Sequence, residues 1–206
     1  MPSSQPKSLY SLRKNPLQKR SKATVTAVLE AGARLLLSIG YEKASTNKIA
    51  ELAGVSVGSL YEYFPGKEAI FAEIRRREDQ RHFRLLMAEP APATLSEMLR
   101  LHTSIYLKLV RTNLELHVAL IREVPQFVTV EAESKIFSEY FPLSIDFLSV
   151  HSSSLRPQCE IPIVVELLTR VLKSTINDYA LHAPERLKDT VVANEIQDML
   201  KHYLLR

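Results

Sequence analysis

Residues 45–67 constrain this chain more than any other stretch. Thr46 is a suitable N-cap, and Ile49, Leu52 and Ala53 follow it at helical spacing. Gly54 accepts positive φ at little cost and so ends that helix. Ser56 caps a second short helix, on which Leu60 and Phe64 point the same way. Two helices joined by a turn from Gly54 to Ser56 have the proportions of a helix-turn-helix, at about residues 45–64. Helices this short are unstable alone in water, so their apolar face requires a third. Thr24 to Ile39 supplies it, with Val25, Val28, Leu29, Leu35, Leu36 and Ile39 in a helical stripe and Gly40 as its stop. Ile49, Leu52, Leu60 and Phe64 are then expected in one core.

The remaining chain continues in helices. Pro65-Gly66 breaks the chain, and Lys67 to about Met87 reads as a fourth helix with Ala69, Ile70 and Ile74 on its inner side. Arg75, Arg76, Arg77, Glu78 and Asp79 read as a solvated face. Glu89-Pro90-Ala91-Pro92-Ala93 is the clearest interruption, and Thr94 to Glu97 has the capping-box pattern that opens a helix to about Val110. Further helices are expected from Asn113 to Val124, from Val130 to Val150 with a kink at Pro142, from Ile163 to Leu181 and from Val191 to Leu205. Few runs alternate with period two. The expected fold is all-α with about nine helices: a basic flexible arm at 1–21, a three-helix helix-turn-helix domain at 22–82, and a helical domain at 83–206.

Composition excludes several functional classes. The single Cys159 rules out an internal disulfide and any multi-cysteine metal site, which fits a cytoplasmic setting. No apolar run approaches the ~18 residues of a membrane span, and no signal-peptide pattern follows the basic start, so no membrane partner is expected. The six histidines are scattered, and no nucleophile elbow, zinc motif or Gly-rich phosphate loop occurs. No cofactor is expected, and the chain reads as a non-enzyme; an all-α hydrolase using His117 and Glu123 is the remote alternative. Net charge is +4, but Lys7, Arg13, Lys14, Lys19, Arg20 and Lys22 lie in the first 22 residues with no acidic residue among them. A basic arm beside a helix-turn-helix suggests phosphate or minor-groove contact; a solvated leader is the plain alternative.

These motifs resemble those of the tetracycline-repressor (TetR) family of bacterial transcription regulators. The resemblance rests on Ala31, Gly40-Tyr41, Ser45-Thr46, Ile49-Ala50, Ala53-Gly54-Val55-Ser56, Gly58-Ser59-Leu60-Tyr61, Tyr63-Phe64 and Lys67-Glu68, and it covers residues 24 to about 75. Tyr63 stands where many members have His, and Pro65-Gly66 replaces a commoner polar pair. The resemblance implies a DNA-binding module on a ligand-binding, dimerising helical domain. It implies a homodimeric repressor that leaves a palindromic operator when a small molecule binds; the apolar make-up of the helices from Thr94 to Leu181 suggests that this molecule is largely apolar. A regulator that ignores ligands, or an activator, is the alternative.

On this reading the second short helix enters the major groove by its N-terminal end, where Ser56, Val57, Gly58 and Ser59 lie. Tyr61 and Tyr63 resemble family positions that contact phosphates or base edges, and Thr46 and Lys67, each at a helix start, are placed to hold phosphates. In the larger domain His102, Tyr106, His117, Asn177 and Tyr179 interrupt apolar helices and are candidates for a ligand pocket. Val164, Leu168, Val171, Leu172, Thr175 and Tyr179 form one wide stripe, and Val192, Ile196, Met199, Leu200 and Tyr203 another, which suggests a four-helix dimer contact.

Overall fold

The structure is a computed structural model that describes residues 10–125, 138 and 140–205. Within them the chain is helical: α1 Lys19–Lys43, α2 Thr46–Ala53, α3 Val57–Tyr63, α4 Lys67–Ala88, α5 Leu95–Thr112, α6 Leu114–Arg122, α7 Tyr140–Val150, α8 Ile161–His182 and α9 Thr190–Leu204. Short 3-10 turns at Ser152–Ser154 and Pro184–Lys188 flank α8. The all-α expectation holds. Most of the first half of the helix expected from Val130 lies outside the described residues; Pro142 lies within α7.

The chain forms two compact units, residues 1–79 with 115–136 and residues 80–114 with 137–206. The boundary was expected once, near residue 82, but α6 belongs to the first unit. Its Leu116, Ala119 and Leu120, with Val124 after it, join the core formed by Val25, Val28, Leu36, Ile49, Leu60, Phe64, Ile70 and Phe71. Helix α1 packs on both α2 and α3. In the second unit α5 packs against α8 and α9.

Capping explains where the elements start and stop. Ser45, not Thr46, caps α2, its side chain accepting from the Lys48 amide. Gly54 adopts φ 67° and ψ 32°, the left-handed conformation that ends α2. The Ser56 hydroxyl accepts from the Ser59 amide and so starts α3. Thr94 caps α5 as expected, and Glu97 reaches back to the Ala93 amide at 2.8 Å. Gly40 has φ 78° and breaks α1 before Tyr41, whose freed amide donates to Glu123 Oε2 at 3.1 Å. A β-carbon on Gly40 would be strained at this φ and would stand 2.7 Å from that same carboxylate oxygen, so a larger residue would also displace Glu123 from its bond.

Three expectations about the first unit are corrected. Leu52 is 39% exposed, because Ile49 and Ala50 centre the inner face of α2 and leave Leu52 on its flank. The described part of the basic arm is packed and not free of the domain: Tyr10 and Leu12 lie against the core, and the Arg13 amide donates to the Tyr63 carbonyl at 2.8 Å. Lys19, Arg20 and Lys22 fall inside α1. The charged run on α4 is not a solvated face. Arg75 follows Phe71 by one turn and is carried inward with it to 3% exposure, its Nε 3.2 Å from Asp79 Oδ2. Glu73, at 5% exposure, accepts from Arg76 and Arg77. Burial alone would raise the Glu73 carboxyl, but these guanidinium bonds outweigh it and hold it below the usual carboxylate range.

Candidate nucleic-acid interface and ligand cavity

Helix α3 has seven residues and two distinct sides. Leu60 and, beyond the last turn, Phe64 have no exposure and anchor it in the core. Opposite them Ser56, Val57, Gly58 and Tyr61 are exposed, Val57 at 37% and Tyr61 at 38%. Val57 thus presents an apolar side chain on the open first turn of the helix. Ser59 is half-buried, and its hydroxyl lies 2.8 Å from the Ser56 hydroxyl. One of the two hydroxyls therefore donates to the other, leaving the second hydroxyl hydrogen free for another acceptor. Tyr61 extends this face to α2: its phenol lies 3.0 Å from the Thr46 hydroxyl. The result is one polar rim, Thr46 to Tyr61 to Ser59, around the exposed Val57 and Gly58. Such a rim offers donors and acceptors to phosphates and base edges, with a methyl-bearing side chain at its centre.

The remaining two residues expected at this surface behave differently. Tyr63 is only 9% exposed. It sits on the opposite side of α3 from Tyr61, with the Lys14 ammonium 4.8 Å from its ring centroid, and belongs to the core of this unit. Lys14 is also paired with Glu62 at 2.7 Å, and this contact raises the lysine pKa. Lys67 is half-buried; its ammonium donates to the Tyr41 carbonyl at 3.1 Å and lies 4.2 Å from the Tyr41 ring centroid. That bond ties the start of α4 to the broken end of α1. The Tyr41 phenol is pushed up to about 12, by burial first and then by Glu68 and Glu42, so it stays neutral. The contribution of Tyr10 to Lys14 to holding α3 was not legible in the sequence beyond the charge of the arm.

The second unit contains a cavity of about 340 Å³. That lies at the small end of the range for ligand pockets. Helix α4 contributes Phe83, Leu86 and Met87; α5 contributes Met98, Leu99 and His102. The far side comes from α7 and α8, through Tyr140, Phe147, Leu168 and Thr169. Phe83 and Tyr140 stack with centroids 3.9 Å apart and planes 3° apart. Of the five residues expected to face a ligand, only His102 lines this cavity. It keeps part of its ring surface open to the cavity, yet it is hemmed in by His82 and its neighbours, and burial lowers its pKa to about 4. Tyr106 is buried and donates to Asn177 Oδ1 at 3.1 Å, an internal bond. Tyr179 is half-buried and does not line the cavity. His117 lies on α6 in the first unit. Stacked Phe83 and Tyr140, and Phe147, were missed because aromatic residues at helical spacing look the same whether they fill a core or line a gap.

The stripes expected at a dimer contact divide in two. Val164, Leu168, Leu172, Val192, Ile196 and Leu200 are all at or below 8% exposure and complete the core of their own unit, which corrects their assignment to a dimer face. Val171, Thr175, Tyr179 and Tyr203 are half-buried at its edge. Tyr203 also accepts a bond from Arg156 at 3.2 Å and stacks under its guanidinium. The apolar side chains that remain outside are Ile163 (52%) and Leu167 (41%) on α8, and Val191 (60%) and Met199 (49%) on α9. Met199 belongs to the expected stripe, whereas Ile163, Leu167 and Val191 are each one residue off it, which is the rotation that separates a helix's inner and outer faces.

Comparison with known proteins agrees with this architecture. The model of "Bacterial regulatory proteins, tetR family" matches residues 28–74. The fatty acid degradation regulator FadR from Bacillus halodurans shares the fold with a TM-score of 0.70 at 16% identity, over 91% of this chain and 96% of that one. Salmonella enterica GusR matches with a TM-score of 0.69 at 18% identity, over 92% and 99%. Native NalD, the secondary repressor of the MexAB-OprM multidrug efflux pump in Pseudomonas aeruginosa, matches at 0.67 and 21% identity, over 90% and 98%. At such identities the likeness is one of fold. No curated protein matches the chain by sequence. The matched residues run from Val28 to Ile74 and so include the whole helix-turn-helix, and beyond that segment the likeness to these regulators is one of fold.

Proposed function

We propose that this chain is a homodimeric repressor that binds a palindromic operator through α3 and is released by a small, largely apolar molecule held in the cavity of the second unit. The observation that carries the reading is the exposed first turn of α3, where Val57 and Gly58 stand open inside a rim of hydroxyls. Val57, Gly58 and Ser59 are assigned to base edges, and Thr46, Ser56 and Tyr61 to phosphates or their vicinity. Lys67 is assigned a phosphate contact through the donors that its Tyr41 bond leaves over. Tyr63 is assigned to the support of α3 from the inner side.

The dimer is assigned to the outer faces of α8 and α9. Ile163, Leu167, Val191 and Met199 support this, because exposed apolar side chains gathered on two helices mark an interaction surface. A two-fold axis matches a palindrome when the recognition helices stand about 34–36 Å apart or a multiple of a turn. The unit boundary falls within α4, after Asp79, so the cavity-lining residues Phe83, Leu86 and Met87 share a helix with residues of the first unit. A ligand acts on DNA only through its differential affinity for two arrangements of the dimer. A typical coupling of ~1–3 kcal/mol weakens operator binding by about 5–150-fold.

The test is light scattering on the purified chain with Leu167→Glu and Met199→Glu. The reading expects a dimer that these variants convert to monomer, with DNA affinity lost in step. A monomeric wild type, or a dimer indifferent to both changes, would contradict it. A ligand-independent regulator or activator is distinguished by filling the cavity with Thr169→Trp: such a protein binds DNA with unchanged affinity. The hydrolase alternative gains no support, since Glu123 is used to cap the Tyr41 amide.

A further inference from the structure

We infer that the cavity selects its occupant by charge: it takes a flat aromatic molecule carrying either no charge or a single positive charge, and rejects the anion of the same shape. This rests on the reading of the cavity as the ligand site and adds to it the chemical class of the ligand.

Three features of the lining carry the inference. First, among the described lining residues Glu89 is the one charged side chain, and no Lys or Arg is present. Glu89 is exposed at the end of α4 and makes no ion pair among the described residues, so its negative charge meets whatever enters. Second, His102 is the one other group there with an acid–base role near neutrality, and its surroundings keep it uncharged; a neutral imidazole offers a hydrogen bond but no countercharge. A buried carboxylate with no cation beside it carries a large desolvation cost. Third, the stacked Phe83 and Tyr140 and the nearby Phe147, Met87 and Met98 supply aromatic faces and thioethers. Those groups favour flat apolar bodies, and the π-faces also attract cations. The lining is therefore apolar at depth, weakly polar at His102 and Thr169, and negative where Glu89 stands.

The experiment uses three probes with one ring system: 2-naphthylmethylammonium, 2-methylnaphthalene and 2-naphthoate. Their affinities for the full-length protein are measured by fluorescence titration at pH 7.5. The expected result is binding of the first two, with naphthoate weaker by at least about tenfold. A surface charge contact is small, so the cation should exceed the neutral probe by about two- to fivefold. Glu89→Gln should erase that margin and leave the neutral probe unchanged. Ser144→Trp should abolish all binding, which locates the probes in the cavity. Naphthoate binding as tightly as the ammonium would overturn the charge selection while leaving the cavity as a ligand site. An unchanged margin in Glu89→Gln would overturn the role of Glu89 and with it the preference for cations. Binding that survives Ser144→Trp, or no binding by any probe, would overturn both this inference and the reading beneath it.

Discussion

In the first unit Phe64, Phe71 and Ile70 have no exposed surface. In the second unit Phe83, Phe147 and Leu168 border a cavity of about 340 Å³. The same residue types thus fill one core and line a gap in the other. A surface that reads DNA must hold its side chains within a fraction of an ångström, and a closed core gives the short α2 and α3 that rigidity. A ligand site needs unfilled volume and accepts the lost packing around it. The polar residues follow the same division. In the first unit the charged groups of α4 are paired with one another, as with Arg75 and Asp79. In the second His102 meets the cavity with its charge suppressed.

The comparison is broken most forcefully by matched truncations. Phe71→Ala removes a fully buried ring and should cost about 3–5 kcal/mol in the denaturant unfolding of the full chain. Phe147→Ala borders volume already empty, so it should cost about half of that or less. Equal losses would mean that the cavity walls are as tightly packed as the first core.

A pH titration sharpens the contrast at His102. Its folded pKa is lowered from 6.5 to about 4, so between these values the unfolded chain binds more protons. Stability from this group is therefore complete above about pH 7 and falls as pH drops from 6.5 through 4, by about 3 kcal/mol in all. Glu73, held low by its arginines, loses stability in acid too, at lower pH than an ordinary carboxylate titrates. The difference between wild type and His102→Leu isolates the histidine: the variant should be less acid-sensitive over pH 6.5 to 4. Parallel curves would show that His102 is solvated.

Smaller effects are expected at the start of α3. Ser56→Ala removes a side-chain cap and should lower stability by about 1 kcal/mol, while Ser56→Gly should cost only a few tenths. Tyr61→Phe breaks the contact with Thr46 at the surface and should change stability by less than about 0.5 kcal/mol, yet weaken binding to all DNA sequences alike. A Tyr61→Phe protein with unaltered DNA affinity would remove that tyrosine from the interface.

How much of this was visible in the sequence depends on the range of the interaction. Gly54, Ser56 and Thr94 announce helix ends because capping involves residues within four positions of each other. The helix-turn-helix was legible for that reason. The exposure of Leu52 and the burial of Tyr63 depend on which way each short helix is rolled, and two turns of helix leave that angle loosely fixed. Arg75 looked solvated because, although its partner Asp79 is only four residues on, the inward roll of α4 that buries the pair appears only in three dimensions. Glu123, 82 residues from Tyr41, and Lys14, 48 residues from Glu62, have no local signature at all. On α8 and α9 the apolar stripes were found, but periodicity alone does not divide an inner face from an outer one, so Val164 and Ile196 were assigned outward and Ile163 and Val191 overlooked.

The central claim is that the open first turn of α3 reads DNA sequence, and selection from a random duplex library tests it directly. Wild-type protein should enrich a palindrome whose half-sites are separated by about one helical turn or a multiple. Val57→Ala and Ser59→Ala should enrich altered bases within each half-site while keeping the spacing. No enrichment over random sequence, or an identical enriched site from all three proteins, would contradict the account.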